Sequence, residues 1–268
     1  GFLPFSTVGY SLSNTSELTK DEDGTVINKT ASYAGDGGLQ QVFAGVGFKV
    51  LDNLSIGANI SYIYGDITHS VTTAFSNSSS FSSVRLDKIS INDYKLDFGL
   101  QYSYKFNKKH VLNFGAVYSL GHSVNGKGYK YNQKWLNGAD YPSTQTGDTI
   151  TNAFSLPHTF GAGLTYVYDN RLTIGADFTY QQWEDAKFYN EKSYFSNRTK
   201  IAAGAEFVPN PYSRNYLKRV RYRVGGYYSD PYTKVDGQDG TREYGVSAGF
   251  GFPLFQSKSI LNISGQYV

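Results

Sequence analysis

The chain has 268 residues with neither cysteine nor methionine, and its aromatics, 16% of the total, are dominated by 24 Tyr and 18 Phe alongside 29 Gly. Tyr and Phe favour strands and Gly weakens helix interiors, so an all-β architecture leads. The formal charge of +3 is small and its carriers are interspersed, which excludes the basic footprint of a nucleic-acid binder.

No run reaches the ~18 consecutive apolar residues that a membrane helix needs. A membrane strand asks for apolar residues only at alternate positions, which is compatible with a mean hydropathy of −0.41. Taken in chain order, a possible strand covers Phe5 to Tyr10, and weak alternation runs from Val42 to Phe48. The pattern then sharpens. Leu54, Ile56, Ala58, Ile60, Tyr62 and Tyr64 alternate with Ser55, Gly57, Asn59, Ser61 and Gly65. Tyr94, Leu96, Phe98, Leu100, Tyr102, Tyr104 and Phe106 alternate with Lys95, Asp97, Gly99, Gln101, Ser103 and Lys105. Leu112 to Leu120 and Leu172 to Tyr180 repeat the theme, and weaker copies lie at Phe160 to Tyr168, Ile201 to Phe207, Val220 to Tyr228, Tyr244 to Phe252 and Leu261 to Tyr267. The strand template gives roughly eleven strands, many near the ~9–11 residues that cross a bilayer. Aromatics gather at segment ends, as interfacial girdles require, and Trp183 before Glu184 and Asp185 reads as a girdle residue followed by solvated acids.

Connections alternate in length. Short ones fall at Val50 to Asn53, Lys105 to Lys109, Asp169 to Asn170, Pro209 to Leu217 and Pro253 to Lys258. Long polar ones fall at Ser11 to Asp36, Asp66 to Lys88, Ser123 to Asn152, Asp185 to Tyr194 and Ser229 to Arg242. The expected fold is a transmembrane antiparallel up-and-down β-barrel of the bacterial outer membrane, a single domain over residues 1–268, with short periplasmic turns and long extracellular loops. An open edge in lipid is expensive, so at least one further strand is expected after Val268 and more sequence before Gly1.

On the polar face the candidate lumen residues are Lys95, Asp97, Gln101, Asp177, Gln181, Lys200, Glu206, Arg221 and Arg223. They suit either a polar path that orients a carboxylate or a salt-bridged filling of the barrel. Tyr129, Tyr131, Trp135 and Tyr141 mark the third long loop as a candidate partner surface. His69, His110, His122 and His158 lack ligand spacing and no Gly-x-Ser-x-Gly occurs, so neither a metal, a cofactor nor catalysis is expected.

Three stretches carry a family resemblance: Gly37-Gly38-Leu39-Gln40-Gln41-Val42 through Tyr62, Leu156-Pro157-His158-Thr159-Phe160-Gly161 through Asp185, and Arg221-Tyr222-Arg223 through Leu254. They are similar to the outer-membrane transport family of FadL and the TodX-like aromatic-hydrocarbon channels, whose relatives include PorV-like partners in secretion. The resemblance implies a barrel of about fourteen strands with an N-terminal plug, passing hydrophobic or amphipathic small molecules through a wall opening. Its alternative is a barrel that transports nothing and serves an outer-membrane protein complex. The plug and the final strands of the family have no counterpart in this chain. Implied partners are membrane lipid or lipopolysaccharide, a hydrophobic small molecule, and an outer-membrane protein.

Overall fold

The computed structural model describes residues 1–20, 23–77, 80–136, 144–151, 154–188, 194–235, 237–254 and 259–268. Its strands are β1 (Phe2–Lys20), β2 (Val26–Leu51), β3 (Leu54–Phe75), β4 (Phe81–Lys105) and β5 (His110–Ser119). There follow β6 (His122–Val124), β7 (Gly126–Leu136), β8 (Thr144–Thr151), β9 (Phe154–Leu156), β10 (Thr159–Tyr168), β11 (Leu172–Gln181) and β12 (Arg198–Phe207). Last come β13 (Arg221–Ser229), β14 (Lys234–Val235), β15 (Gln238–Asp239), β16 (Glu243–Pro253) and β17 (Ile260–Tyr267). The wall runs β1-β2-β3-β4-β5-β10-β11-β12-β13-β16-β17, every neighbour antiparallel, so the eleven alternating segments become eleven wall strands. Among the described residues β1 and β17 each pair on one side only.

Register explains why alternation makes a wall. Ile56 pairs with Leu100, Ala58 with Phe98, Ile60 with Leu96 and Tyr62 with Tyr94, while Gly57 meets Gly99, Asn59 meets Asp97 and Ser61 meets Lys95. Paired residues share a face, so one side of the wall is apolar and the other polar. The apolar side is uncovered: Phe48 is 63% exposed, Ile60 58% and Val224 63%. A surface of that extent has its solvent in the bilayer. From Leu54 to Tyr64 it rises about 25 Å at the tilt of membrane strands. Tyr62 and Tyr64 stack at its outer edge, and Tyr104 meets Phe106 edge to face at its inner edge.

The periplasmic link from β10 to β11 is the three residues Asp169 to Arg171, in which Asp169 (φ 50) and Asn170 (φ 53) both take the left-handed conformation and Arg171 N–H closes the turn on the Tyr168 carbonyl at 2.8 Å, as a tight hairpin with the twist of its strands demands. The outer side departs from expectation. Most of Ser11 to Asp36 and of Asp66 to Lys88 is strand rather than loop, because β1, β2, β3 and β4 run for 19, 26, 22 and 25 residues and pair far above the membrane. Most of Ser123 to Thr151 is likewise strand, with β7 pairing to the outer half of β4 and β8 to β7. With water on the outer face, Ser, Thr and Asn replace apolar residues there, and hydroxyl pairs such as Ser13 with Ser32 and Thr15 with Thr30, each at 3.1 Å, tie β1 to β2. At the junction between belt and outer sheet stand Gly37 (φ 107) and Gly65 (φ 141). A Cβ on Gly37 would lie 2.2 Å from the Asp66 carbonyl oxygen, and one on Gly65 2.3 Å from that of Gly38.

Candidate functional site

The polar side of the wall carries a floor of glycines. Gly57, Gly99, Gly115, Gly161 and Gly163 leave a cavity of about 680 Å³, into which Asp177 and Gln101 project. Asp177 sits across from Gly163, where even a Cβ would stand 2.3 Å from its Oδ1.

Register puts the other lumen candidates on this same side. Lys95 pairs with Asp97 as an ion pair, and Asp97 also accepts from Ser119 Oγ at 2.5 Å. Nearer the periplasm Glu206 bridges two cations, accepting from Arg221 Nη1 at 2.8 Å and Arg223 Nε at 2.6 Å, while Arg223 also donates to Asn262 at 2.7 Å. Lys200 lies over the Tyr227 ring, 5.1 Å from its centroid. Gln181 accepts from the Trp183 indole N–H at 3.1 Å and lies 3.5 Å from Thr159. The candidates thus form separate clusters along the lumen. Replacing Glu206 by Ala leaves two guanidinium groups facing each other, and the loss is expected to lower unfolding stability by ~1–2 kcal/mol, since the pair is partly solvated. Urea denaturation followed by Trp fluorescence measures it, and a Glu206→Ala/Arg223→Ala double variant should recover most of the loss.

Above the lumen lies the one cluster of buried apolar residues among the described ones, a feature no motif announced. Leu39, Ile63, Ile89 and Ile91 share the lumen-facing side of β2, β3 and β4, and Val124 of β6 and Leu156 of β9 pack onto them, flanked by Ile67, Ile150, Phe154 and Phe188. β6 and β9 pair with each other as a small separate sheet. Aromatic rings extend the seal: Trp183 stacks on Tyr232 at 5.0 Å and meets Phe195 at 5.3 Å, and Phe188 meets Phe195 edge to face at 5.8 Å. Trp183 is therefore no girdle residue. It lies in the single 3-10 turn that follows β11, where its packing on Phe195 and Tyr232 and its bond to Gln181 fix its place. The signal available in the sequence was one of parity: Ile89 and Ile91 hold the parity of Lys95 and Asp97, so apolar residues occur where polar ones line the lumen below.

Where the chain leaves the wall for this cap, Asp93 accepts the Asn125 backbone N–H at 2.6 Å and lies 3.4 Å from His122 Nε2, whose ring stacks on Tyr94 at 4.6 Å. Beside it a cavity of about 200 Å³ opens between Gly121, His122, Ser155, Pro157, His158 and Gln182. Lower on the lipid side, Val46, Phe48, Ala58, Phe98, Tyr118 and Phe160 border an apolar hollow of about 610 Å³. Tyr129, Tyr131 and Trp135 stand on strand β7 rather than in a loop, at alternate positions of one face, because the segment pairs with β4 throughout; Tyr141 lies outside the described residues. Among the described residues no group of three or more His, Asp or Glu is placed to hold a metal.

Belt and polar lumen together define a β-barrel protein of the bacterial outer membrane. The family model BamG matches residues 1–268, and the chain belongs to the BamG family. No curated protein sequence matches it. Among solved structures it is similar to a FadL homologue of Pseudomonas aeruginosa, at 14% identity over 97% of this chain and 80% of that one, with a TM-score of 0.59. The toluene transporter TbuX of Ralstonia pickettii aligns at 12% identity over 94% and 80%, with a TM-score of 0.52. A TodX monoaromatic hydrocarbon channel, the deltaS2 mutant, aligns at 15% over 97% and 71%, with a TM-score of 0.54. The likeness to FadL-type barrels inferred from sequence holds at the level of fold, and these neighbours are transporters and channels rather than enzymes.

Proposed function

We propose that the protein is a passive route across the outer membrane for hydrophobic or amphipathic small molecules, closed to bulk water at its outer mouth. The observation that supports this reading is the apolar cluster above the lumen, where Val124 and Leu156 pack with Ile63, Ile89 and Ile91, over a glycine-lined cavity of about 680 Å³. An open aqueous pore has no use for such a cluster. A lateral route for a lipid-soluble molecule would pass beside His122, where a cavity of about 200 Å³ lies between the wall and the cap. Binding energy would come from apolar and aromatic contact, without catalysis or cofactor. The lumen candidates Lys95, Asp97, Gln101, Asp177, Gln181, Lys200, Glu206, Arg221 and Arg223 would supply the polar path, Arg221 and Arg223 being best suited to a carboxylate. The fold shared with a toluene transporter and a monoaromatic hydrocarbon channel supports the reading.

Liposomes containing the full chain should take up toluene or a fatty acid several-fold faster than empty ones; equal rates would count against transport. The second reading, a non-transporting subunit of an outer-membrane complex, is favoured by the sheet that β1–β4, β7 and β8 raise above the membrane. Equal uptake together with a stoichiometric protein partner retained in mild detergent would establish it instead.

A further inference from the structure

The lipid-facing side of the wall continues upward as the outer face of the tall sheet, and register specifies what it shows. One cross-strand step above Tyr64 and Asn92, Asp66, Ser90 and Lys127 lie in a row; the next row holds Thr68, Lys88, Tyr129 and Thr149; the third holds Ser70, Leu86, Tyr131 and Gly147. Lys88 is engaged by Asp66 at 3.0 Å, whereas Lys127 is exposed at the height where lipid headgroups begin.

The two tyrosines above it are laid out as a platform. Tyr131 faces Gly147 on β8, and a Cβ built on that glycine would stand 3.2 Å from ring atoms Cδ1 and Cε1. The ring therefore lies against the neighbouring strand at a position where a larger side chain than glycine would push it aside, and it keeps 39% of its surface exposed. The Tyr129 ring is parallel to it within 11°, its centroid 6.4 Å away. Toward β1 the same face is hydroxyl-rich, with Ser13, Ser32, Thr15 and Thr30 bonded in pairs, and its charges there are the acids Asp36 and Glu17.

Flat aromatic faces stack on the C–H face of a sugar ring, hydroxyl groups satisfy its rim, and an ammonium suits a phosphate. A protein partner would use the same rings, with Trp135 beside them on the face, as anchors, and the substitutions below separate it from a lipid. One neighbour of the protein has a phosphate at the membrane surface and sugars directly above it. We infer that the outer face of β7 is a binding site for the phosphorylated, sugar-bearing lipid of the outer leaflet, lipopolysaccharide, with Lys127 on a phosphate and Tyr129 and Tyr131 under the sugars. The site is separate from the lumen and independent of what crosses it.

The test uses the full chain in detergent, titrated with lipopolysaccharide, with lipid A lacking the polysaccharide, and with phosphatidylglycerol. Lipopolysaccharide should bind tightest. Tyr129→Ala/Tyr131→Ala should weaken lipopolysaccharide about tenfold while leaving lipid A unchanged, and Lys127→Ala should weaken both. Gly147→Leu, which lifts the Tyr131 ring without removing it, should reproduce the tyrosine loss and serves if the double variant does not fold. Phosphatidylglycerol binding as tightly as lipopolysaccharide overturns the inference, as does unchanged lipopolysaccharide affinity in folded Tyr129→Ala/Tyr131→Ala or Gly147→Leu. A protein captured through this face, in a manner abolished by the same substitutions, overturns it as well.

Discussion

Leu156→Asp is expected to turn a poorly conducting barrel into a conducting one. Leu156 is 9% exposed and packs with Val124 against Ile63, Ile89 and Ile91 on the lumen-facing side of the wall. A carboxylate there enters an apolar cluster whose nearest titratable neighbour is its cross-strand partner His122, and the cost of burying it, several kcal/mol, exceeds what the short β6–β9 ladder can supply. The cap should swing away while the wall, held by its own hydrogen bonds, persists. Planar-bilayer recordings would then show a several-fold rise in single-channel conductance with unchanged heat-modifiable migration on gels. Leu156→Ala should cost ~2–4 kcal/mol of packing within the cap and give partial or flickering opening. Conductance in folded Leu156→Asp equal to that of the unmodified protein would mean the cap is not the barrier.

The second large effect belongs to the backbone. Gly65→Ala and Gly37→Ala each place a Cβ within 2.3 Å of a carbonyl oxygen on the neighbouring strand, at φ values that L-residues resist. Neither the facing backbone nor the substituted residue can relax without breaking ladder pairs, so each should destabilise the protein by ~3 kcal/mol or more. Gly99→Ala is the control: it lies in the same sheet, its Cβ would meet nothing within 4 Å, and it should shift the urea midpoint little. Equal midpoints for Gly65→Ala and Gly99→Ala would show that the junction tolerates a side chain after all.

Much of the wall was readable because a bilayer imposes a hard rule: apolar on one side, polar on the other, every second residue. Leu54 to Tyr64 and Tyr94 to Tyr104 obey it, and there pattern and structure coincide strand for strand. Above Tyr64 the rule lapses. Thr68, Ser70 and Thr72 are as good strand formers as the residues below them, but with water on the outer face they carry no apolar period, and a polar stretch bordered by glycine reads as a loop. The cap was hidden for a different reason. Its members Leu39, Ile63, Ile91, Val124 and Leu156 come from five strands far apart in the chain, and their only common mark is an apolar residue at a lumen-facing position. Parity assigns the candidate lumen charges to one face as individuals; that Glu206 holds two arginines while Asp97 takes Lys95 depends on strand neighbours, which parity does not reveal.

The uneven height of the wall bears on how the molecule sits in a crowded membrane. β1 to β4 reach 19 to 26 residues, whereas β10, β11 and β12 have 10 each. The flank with the longer strands therefore stands as a parapet on one side only. Another integral protein of ordinary stature can draw flush against the shorter flank, yet must clear a rigid overhang to do so on the taller one. Rotation about the membrane normal thus changes what a neighbour meets, and even non-specific collisions in the plane of the membrane acquire a preferred bearing.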